Sequence, residues 1–289
     1  MDPVSQGVFG AIAAHAFSRR DEVRAATVAG ALGGMAADLD VLIRSDSDPL
    51  LFLEFHRHFT HALAFIPVGG AVVGLALWPL LRRRLSLART VAFAIAGYAT
   101  HGLLDACTSY GTRLLWPFSD LRVAWNTVAV VDPFVTMPLL LLVLVAVWRR
   151  SPNVGRVAVV VALALLGVGR LQRGRADVLL EEVARAHGHV VDRGSAKPSL
   201  LNMVVWRGTW QSGDTLHVAA LRPGLLETDR TSDVTSAVRF DLARDLPGLP
   251  PDSVAARDLA RFDHFSDGWL VRVDDDGGRG ISGAPGTSP

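Results

Sequence analysis

The chain has one cysteine, Cys107, among its 289 residues, so it has no intrachain disulfide framework and cysteine usage does not report the redox compartment. It also lacks a charge excess: 29 Lys and Arg face 28 Asp and Glu, for a net +1 at neutral pH. The arginines sit in short clusters between apolar runs rather than along one face, which argues against nucleic acid as a partner. No internal repeat is evident. The opening MDPVSQGVFGAIAAHAF has an acidic residue where a signal peptide would be basic. Its apolar stretch ends in SRR without a convincing cleavage site, so the segment is expected to be retained.

Apolar residues are abundant. Half the chain is hydrophobic and mean hydropathy is +0.31, too apolar for an ordinary soluble enzyme and too polar for a protein wholly within the membrane. Residues 1–171 hold 15 Arg and 11 acidic residues, whereas residues 172–289 hold 14 basic and 17 acidic residues in a shorter length. The expected organisation is therefore a membrane-embedded helical domain (1–171), a small α+β domain outside the membrane (172–275) and a disordered tail (276–289) rich in Gly, Pro and Ser.

A hydrocarbon core about 30 Å thick needs about 20 apolar residues as a helix. Segments 25–43, 62–81, 90–107 and 134–148 approach that length, with 154–171 a fifth. The fold class expected is mainly α, a polytopic bundle of four to five spans, with 4–17 a shorter, partial helix. Arg82, Arg83, Arg84 and Arg89 fill one connecting loop and Arg149, Arg150 and Arg156 another, and the positive-inside bias puts both in the cytoplasm. Arg19, Arg20 and Arg24 agree with this orientation, whereas Arg170, Arg173 and Arg175 run against it. Beyond residue 172, RADVLLEEVARAHG reads as a helix, LNMVVWRGTWQSGDTLHVAAL as a hairpin about SGD, ARDLARFDHF as a helix and DGWLVRVDDD as a strand. His187, His189, His217 and His264 are expected to be solvated there.

Ionisable groups at membrane depth are costly and mark function. On this topology Asp38, Asp40, His56, His61, His101, Asp105 and Asp132 all fall near the outer ends of their segments. Asp38 and Asp40 would point about 200° apart on a continuous helix, so one shared site requires the helix to end or distort there. His56 and His61 are read as functional and His58 as an interfacial bystander. His101 and Asp105, at i and i+4, share one helical face. Three imidazoles and three carboxylates suit a divalent metal, zinc first with manganese or iron as alternatives, and two metals could share six such donors. A cation would also compensate the buried carboxylates. An ion pathway or transporter would use the same residue types. A third reading is an envelope scaffold with a structural metal.

Several motifs carry a family resemblance: MDPVSQGVFGA, GALGGMAADLDVLI, FHRHFTHAL, THGLLDACTSYGTRLLWPFSDLRVAWNTVAVVDPF and FDHFSDGW. Over residues 1 to about 148 the chain resembles the LexA-regulated, membrane-bound metal-dependent hydrolases, the YdjM-like family. The resemblance implies an inner-membrane, metal-dependent hydrolase; because a site at the bilayer surface meets amphiphiles first, the expected substrate is a phosphoester or ester of a lipid or envelope-derived molecule. The resemblance also implies Asp38, Asp40, His56, His61, His101 and Asp105 as metal ligands. A departure falls at Gln6, where some relatives have histidine. Asp38 and Asp105 are the expected catalytic carboxylates. Arg57, Thr60, Thr108, Asn126 and Asp132 are expected to orient ligands or bind substrate, while Trp116 and Phe118 read as an interfacial anchor. Membrane lipid and a small lipid-like substrate are the expected partners, with the C-terminal domain on the outer side. The sequence does not fix the oligomeric state.

Overall fold

The computed structural model describes residues 1–46, 48, 50–224, 230–275 and 278–283. The chain divides into two compact units. One comprises Met1–Asp46, Phe55–Leu171 and Leu200–Met203; the other comprises Ser47–Glu54, Gln172–Ser199 and Val204–Pro289.

The first unit is helical. Helix α1 (Pro3–His15) starts where the Asp2 carboxylate accepts the Val4 and Ser5 amides, with Pro3 in the first turn. Helix α2 (Val23–Met35) follows and continues as a 3₁₀ segment, Ala36–Leu42. After the short α3 (Leu51–Phe55), all but its last residue in the second unit, come α4 (Ile66–Leu81), α5 (Leu87–Ala106) and α6 (Pro133–Arg149). Ser86 caps α5, and Asp132 caps α6 by accepting the Phe134 and Val135 amides. Helix α7 runs unbroken from Pro152 to Ala186.

Three stretches are long and apolar enough to cross a membrane: Val23–Leu42, Leu63–Leu81 and Pro152–Ala186. This is fewer than the four to five expected. Helix α5 has 20 residues but includes Arg89, His101 and Asp105, and α6 is apolar with only 17 residues. The two compact units divide between Leu171 and Gln172, but the helix itself does not break there. No proline interrupts residues 153–186, and the separately expected span and soluble helix are one 35-residue rod, about 52 Å long at 1.5 Å per residue.

Small residues set how closely these helices pack. A Cβ on Gly30 would overlap the Gly10 carbonyl, one on Gly97 the Gly30 carbonyl, and one on Gly33 the Ala94 carbonyl. Helices α1, α2 and α5 therefore meet backbone to backbone, the arrangement by which small residues bring membrane helices together. Val8, Phe9, Ile12, Leu104, Val135, Leu139 and Val143 form one apolar core of this unit, and Ala26, Ala29, Leu85 and Phe93 belong to another.

The second unit is α+β. Strands β1 (Arg193–Pro198), β2 (Trp206–Ser212), β3 (Thr215–Arg222) and β4 (Arg230–Thr231) lie in that order, and β5 (Thr235–Val238) also pairs with β3. The β2–β3 connection is the expected hairpin, closed by Gly213 and Asp214 with Gly213 at φ 58°. Trp206, Trp210 and Leu221 pack against Leu179, Leu180 and Val183 of α7. Helices α8 (Leu242–Asp245) and α9 (Val254–Phe265) precede a second sheet of β6 (Leu270–Asp275) and β7 (Gly278–Gly283). Strand β7 replaces part of the expected tail. Its backbone ladder with β6 needs no large side chains, while the remaining tail residues, 276, 277 and 284–289, lie outside the described residues. His217 also departs from expectation: it is buried, stacked on His189 with ring centroids 3.9 Å apart, and bonded to Ser236.

Candidate metal centre

The site forms where α2 changes character. Gly33 and Gly34, both weak helix formers, precede the switch to 3₁₀ geometry at Ala36. In that tighter winding, residues two apart are turned by about 240°, so Asp38 and Asp40 face different neighbours. Asp38 Oδ1 lies 3.3 Å from His101 Nε2 and 3.5 Å from His61 Nε2. Asp40 Oδ1 instead meets His56 Nδ1 at 2.9 Å. Its Oδ2 accepts the Arg57 amide and the Thr60 hydroxyl, each at 3.0 Å. Asp40 thus fastens the loop that carries the histidines.

That loop has further supports. Arg57 adopts φ 63°, uncommon for a residue with a Cβ. Its carbonyl accepts the Arg113 amide at 3.2 Å, and Tyr98 donates its hydroxyl to the Thr60 carbonyl at 2.8 Å. Gly102 lets the loop rest on α5, because a Cβ there would collide with the His61 carbonyl. His58 instead meets the rings of Phe55 and Trp116 at a tilt and that of Phe59 edge-on.

On α5, His101 and Asp105 are fully buried one turn apart. His101 Nδ1 donates to the Gly34 carbonyl at 2.5 Å. This fixes the tautomer and leaves the Nε2 lone pair directed into the cluster, the usual outer support of a metal-binding imidazole. The α2–α5 backbone contact is what brings Gly34 within reach. Asp105 Oδ1 accepts Gln6 Nε2 at 3.0 Å and is ion-paired with the Met1 amino group. Asp105 Oδ2 is buried and lies 3.3 Å from Arg57 Nε and 3.2 Å from His61 Nε2. Burial works against a charge on His61, but hydrogen bonds to Asp105 and Asp38 outweigh it and raise its pKa above the ordinary value.

The donor geometry fits an ion. Five of the separations among His61 Nε2, His101 Nε2, Asp38 Oδ1 and Asp105 Oδ2 are 2.9, 3.2, 3.3, 3.5 and 3.8 Å. A tetrahedron with bonds of about 2.0–2.1 Å has edges of about 3.3 Å. Two imidazole nitrogens 2.9 Å apart, flanked by carboxylate oxygens, repel unless a proton or cation lies between them. Asp38, Asp40 and His56 form a second, adjoining group able to hold a metal, with Asp38 common to both.

The remaining sequence candidates lie around or beyond this cluster. Thr108 accepts Arg57 Nη1 at 3.0 Å and donates to the Asp105 carbonyl. Arg57 is buried against Asp105 and the Tyr110 ring, so it orients a carboxylate rather than facing solvent. Asn126 is buried at φ 49° in the α5–α6 connection, and Asp132 caps α6. His15 is at the other end of α1, bonded to Thr27. Gln6 occupies the cluster where the resemblance placed a histidine. Tyr98 and the Gly34 carbonyl were not anticipated. A hydroxyl among apolar residues gives little signal, and a backbone acceptor gives none.

A 143-residue stretch, half of this chain, is 22% identical to the Uncharacterized protein YfhP of Bacillus subtilis (strain 168). The match spans 42% of that protein, so the chain covers less than half of this relative's length. No solved structure matches the chain. Residues 1–176, over half the chain and including every member of the His/Asp cluster, match the YdjM inner membrane protein family, to which this chain therefore belongs.

Proposed function

We propose that the protein is a membrane-bound, metal-dependent hydrolase acting on a phosphoester or ester of a lipid or envelope-derived substrate. The convergence of His61, His101, Asp38 and Asp105 at metal-ligand spacing carries this reading. Zinc suits the donor set best, with manganese and iron as alternatives. A divalent cation held there would lower the pKa of a bound water and polarise the scissile bond.

The chain's own groups divide the remaining work. Asp105, fully buried and held by Gln6 and Arg57, serves as an anchored ligand. Asp38 keeps 23% of its side chain exposed and is the carboxylate positioned to take a proton from attacking water. Asp40, Thr60 and Thr108 hold the histidine loop and Asp105 in place.

A lipid-like substrate is supported by the apolar rim. Leu39, Leu42, Tyr110, Leu115 and Phe118 are exposed, Phe118 to 90%, as expected of a surface at headgroup depth. In this reading α5 and α6 complete four to five crossings, the cluster lies at the outer face and the second unit is external.

The test uses purified full-length protein in proteoliposomes with zinc or manganese and a phosphodiester or carboxyl-ester lipid. Hydrolysis that is lost in Asp38→Asn and on chelation supports the proposal. Metal-coupled ion flux without ester turnover would instead establish the transporter reading.

A further inference from the structure

At the end of α1 opposite Gln6 lies a cavity of about 610 Å³ lined by Ser18, Arg19, Arg20, Arg149, Arg150, Ser151, Pro152, Asn153 and Arg156. Five of these nine residues are arginines, and none is acidic. They come from three places: the α1–α2 loop, the end of α6 and the first turn of α7. Arg156 is held by hydrogen bonds from Nε to the Ala16 carbonyl at 3.1 Å and from Nη1 to Asn153 at 2.8 Å. The first turn of α7 adds backbone amides and the positive end of a 35-residue helix. Like charges from separate elements therefore surround one space.

We propose that this cavity binds a phosphate-bearing anion, with the headgroup of an anionic membrane lipid as its source. Guanidinium groups match phosphate through paired hydrogen bonds, and basic pockets between membrane helices are suited to anionic headgroups. A topological role alone requires positive charge near the membrane but not arginines from three separate elements lining one open concavity. Arg82, Arg83 and Arg84 provide the comparison, because they are also clustered and exposed but lie outside this cavity.

The test is native mass spectrometry of the full-length protein after reconstitution with phosphatidylcholine alone or mixed with phosphatidylglycerol or cardiolipin. The native chain should retain the anionic lipids selectively. Arg149→Gln with Arg156→Gln should weaken retention by about tenfold or more. Replacing Arg82, Arg83 and Arg84 by Gln should leave it unchanged. Arg149→Lys with Arg156→Lys preserves the topological charge and should still weaken retention, because the forked contact is lost. Inorganic phosphate should displace the lipid. Phosphate binding in lipid-free detergent without lipid retention would keep the anion site but overturn the lipid source. Equal loss in the Arg82–Arg84 variant, or binding of neither lipid nor phosphate, would overturn the site.

Discussion

The two units handle charge in opposite ways. The helical unit buries Asp40, Arg57, His61, His101 and Asp105 together, while among the described residues each ion pair of the α+β unit keeps at least one partly exposed side chain. Arg261 forks onto Asp48 at 2.9 Å through both nitrogens and reaches Glu54 at 2.6 Å, with all three side chains at least 29% exposed. Solvent screens the second arrangement, and exposed pairs of this kind contribute little. The first has no such screening, so its charges must compensate one another or share a cation. Buried charge thus marks the candidate metal centre, and exposed charge elsewhere needs no such compensation.

The largest effect that would break this contrast is expected from Asp105→Asn, which keeps shape but removes a donor charge. Metal affinity measured by competition with a chelator should fall by at least about 100-fold, with hydrolysis lost in parallel. Undiminished affinity would show that the buried charges are balanced without a cation. Gly102→Ala should come next: the added methyl displaces the His61 backbone, and overpacking of this kind costs about 1–3 kcal/mol. Thermal unfolding and metal content should fall together. Tyr98→Phe removes only the hydroxyl that holds Thr60 and should weaken metal binding by about tenfold while leaving the unfolding temperature nearly unchanged.

On the other side of the comparison, Arg261→Ala should leave metal content unchanged and lower thermal stability only slightly. About 0.5 M salt should erase that difference, because the Debye length is then well under 10 Å. The smallest expected effect is a pH dependence at His217. Burial, with His189 and His187 nearby, lowers its pKa. The unfolded chain therefore binds the proton more readily, and stability should decline as pH falls through about 6.5. His217→Gln should flatten that part of the profile.

The members of the His/Asp cluster were legible because carboxylates and imidazoles stand out against apolar runs, and His101 and Asp105 have a helical spacing that survives in the fold. The 3₁₀ segment at Ala36–Leu42 was legible only as a condition, since nothing between Gly33 and Asp40 states the winding directly. Helix α7 was harder. The fall in hydropathy after Leu171 reads as a domain boundary, yet hydropathy does not stop a helix when Gln172, Arg173 and Ala176 all favour one. Strands β1, β5 and β7 gave little signal because RGSAKP, TSAV and GRGISG lack a sustained apolar alternation. Their pairing comes from the backbone and from neighbours already in the sheet.

The most direct measurement is X-ray absorption on the purified full-length protein, with elemental analysis alongside. The expected result is a bound divalent metal with imidazole nitrogen and carboxylate oxygen donors at about 2.0–2.1 Å, and with the imidazole signal reduced in His101→Ala. A correctly folded native chain that takes up no divalent metal, or a His101→Ala spectrum identical to the native one, would contradict it.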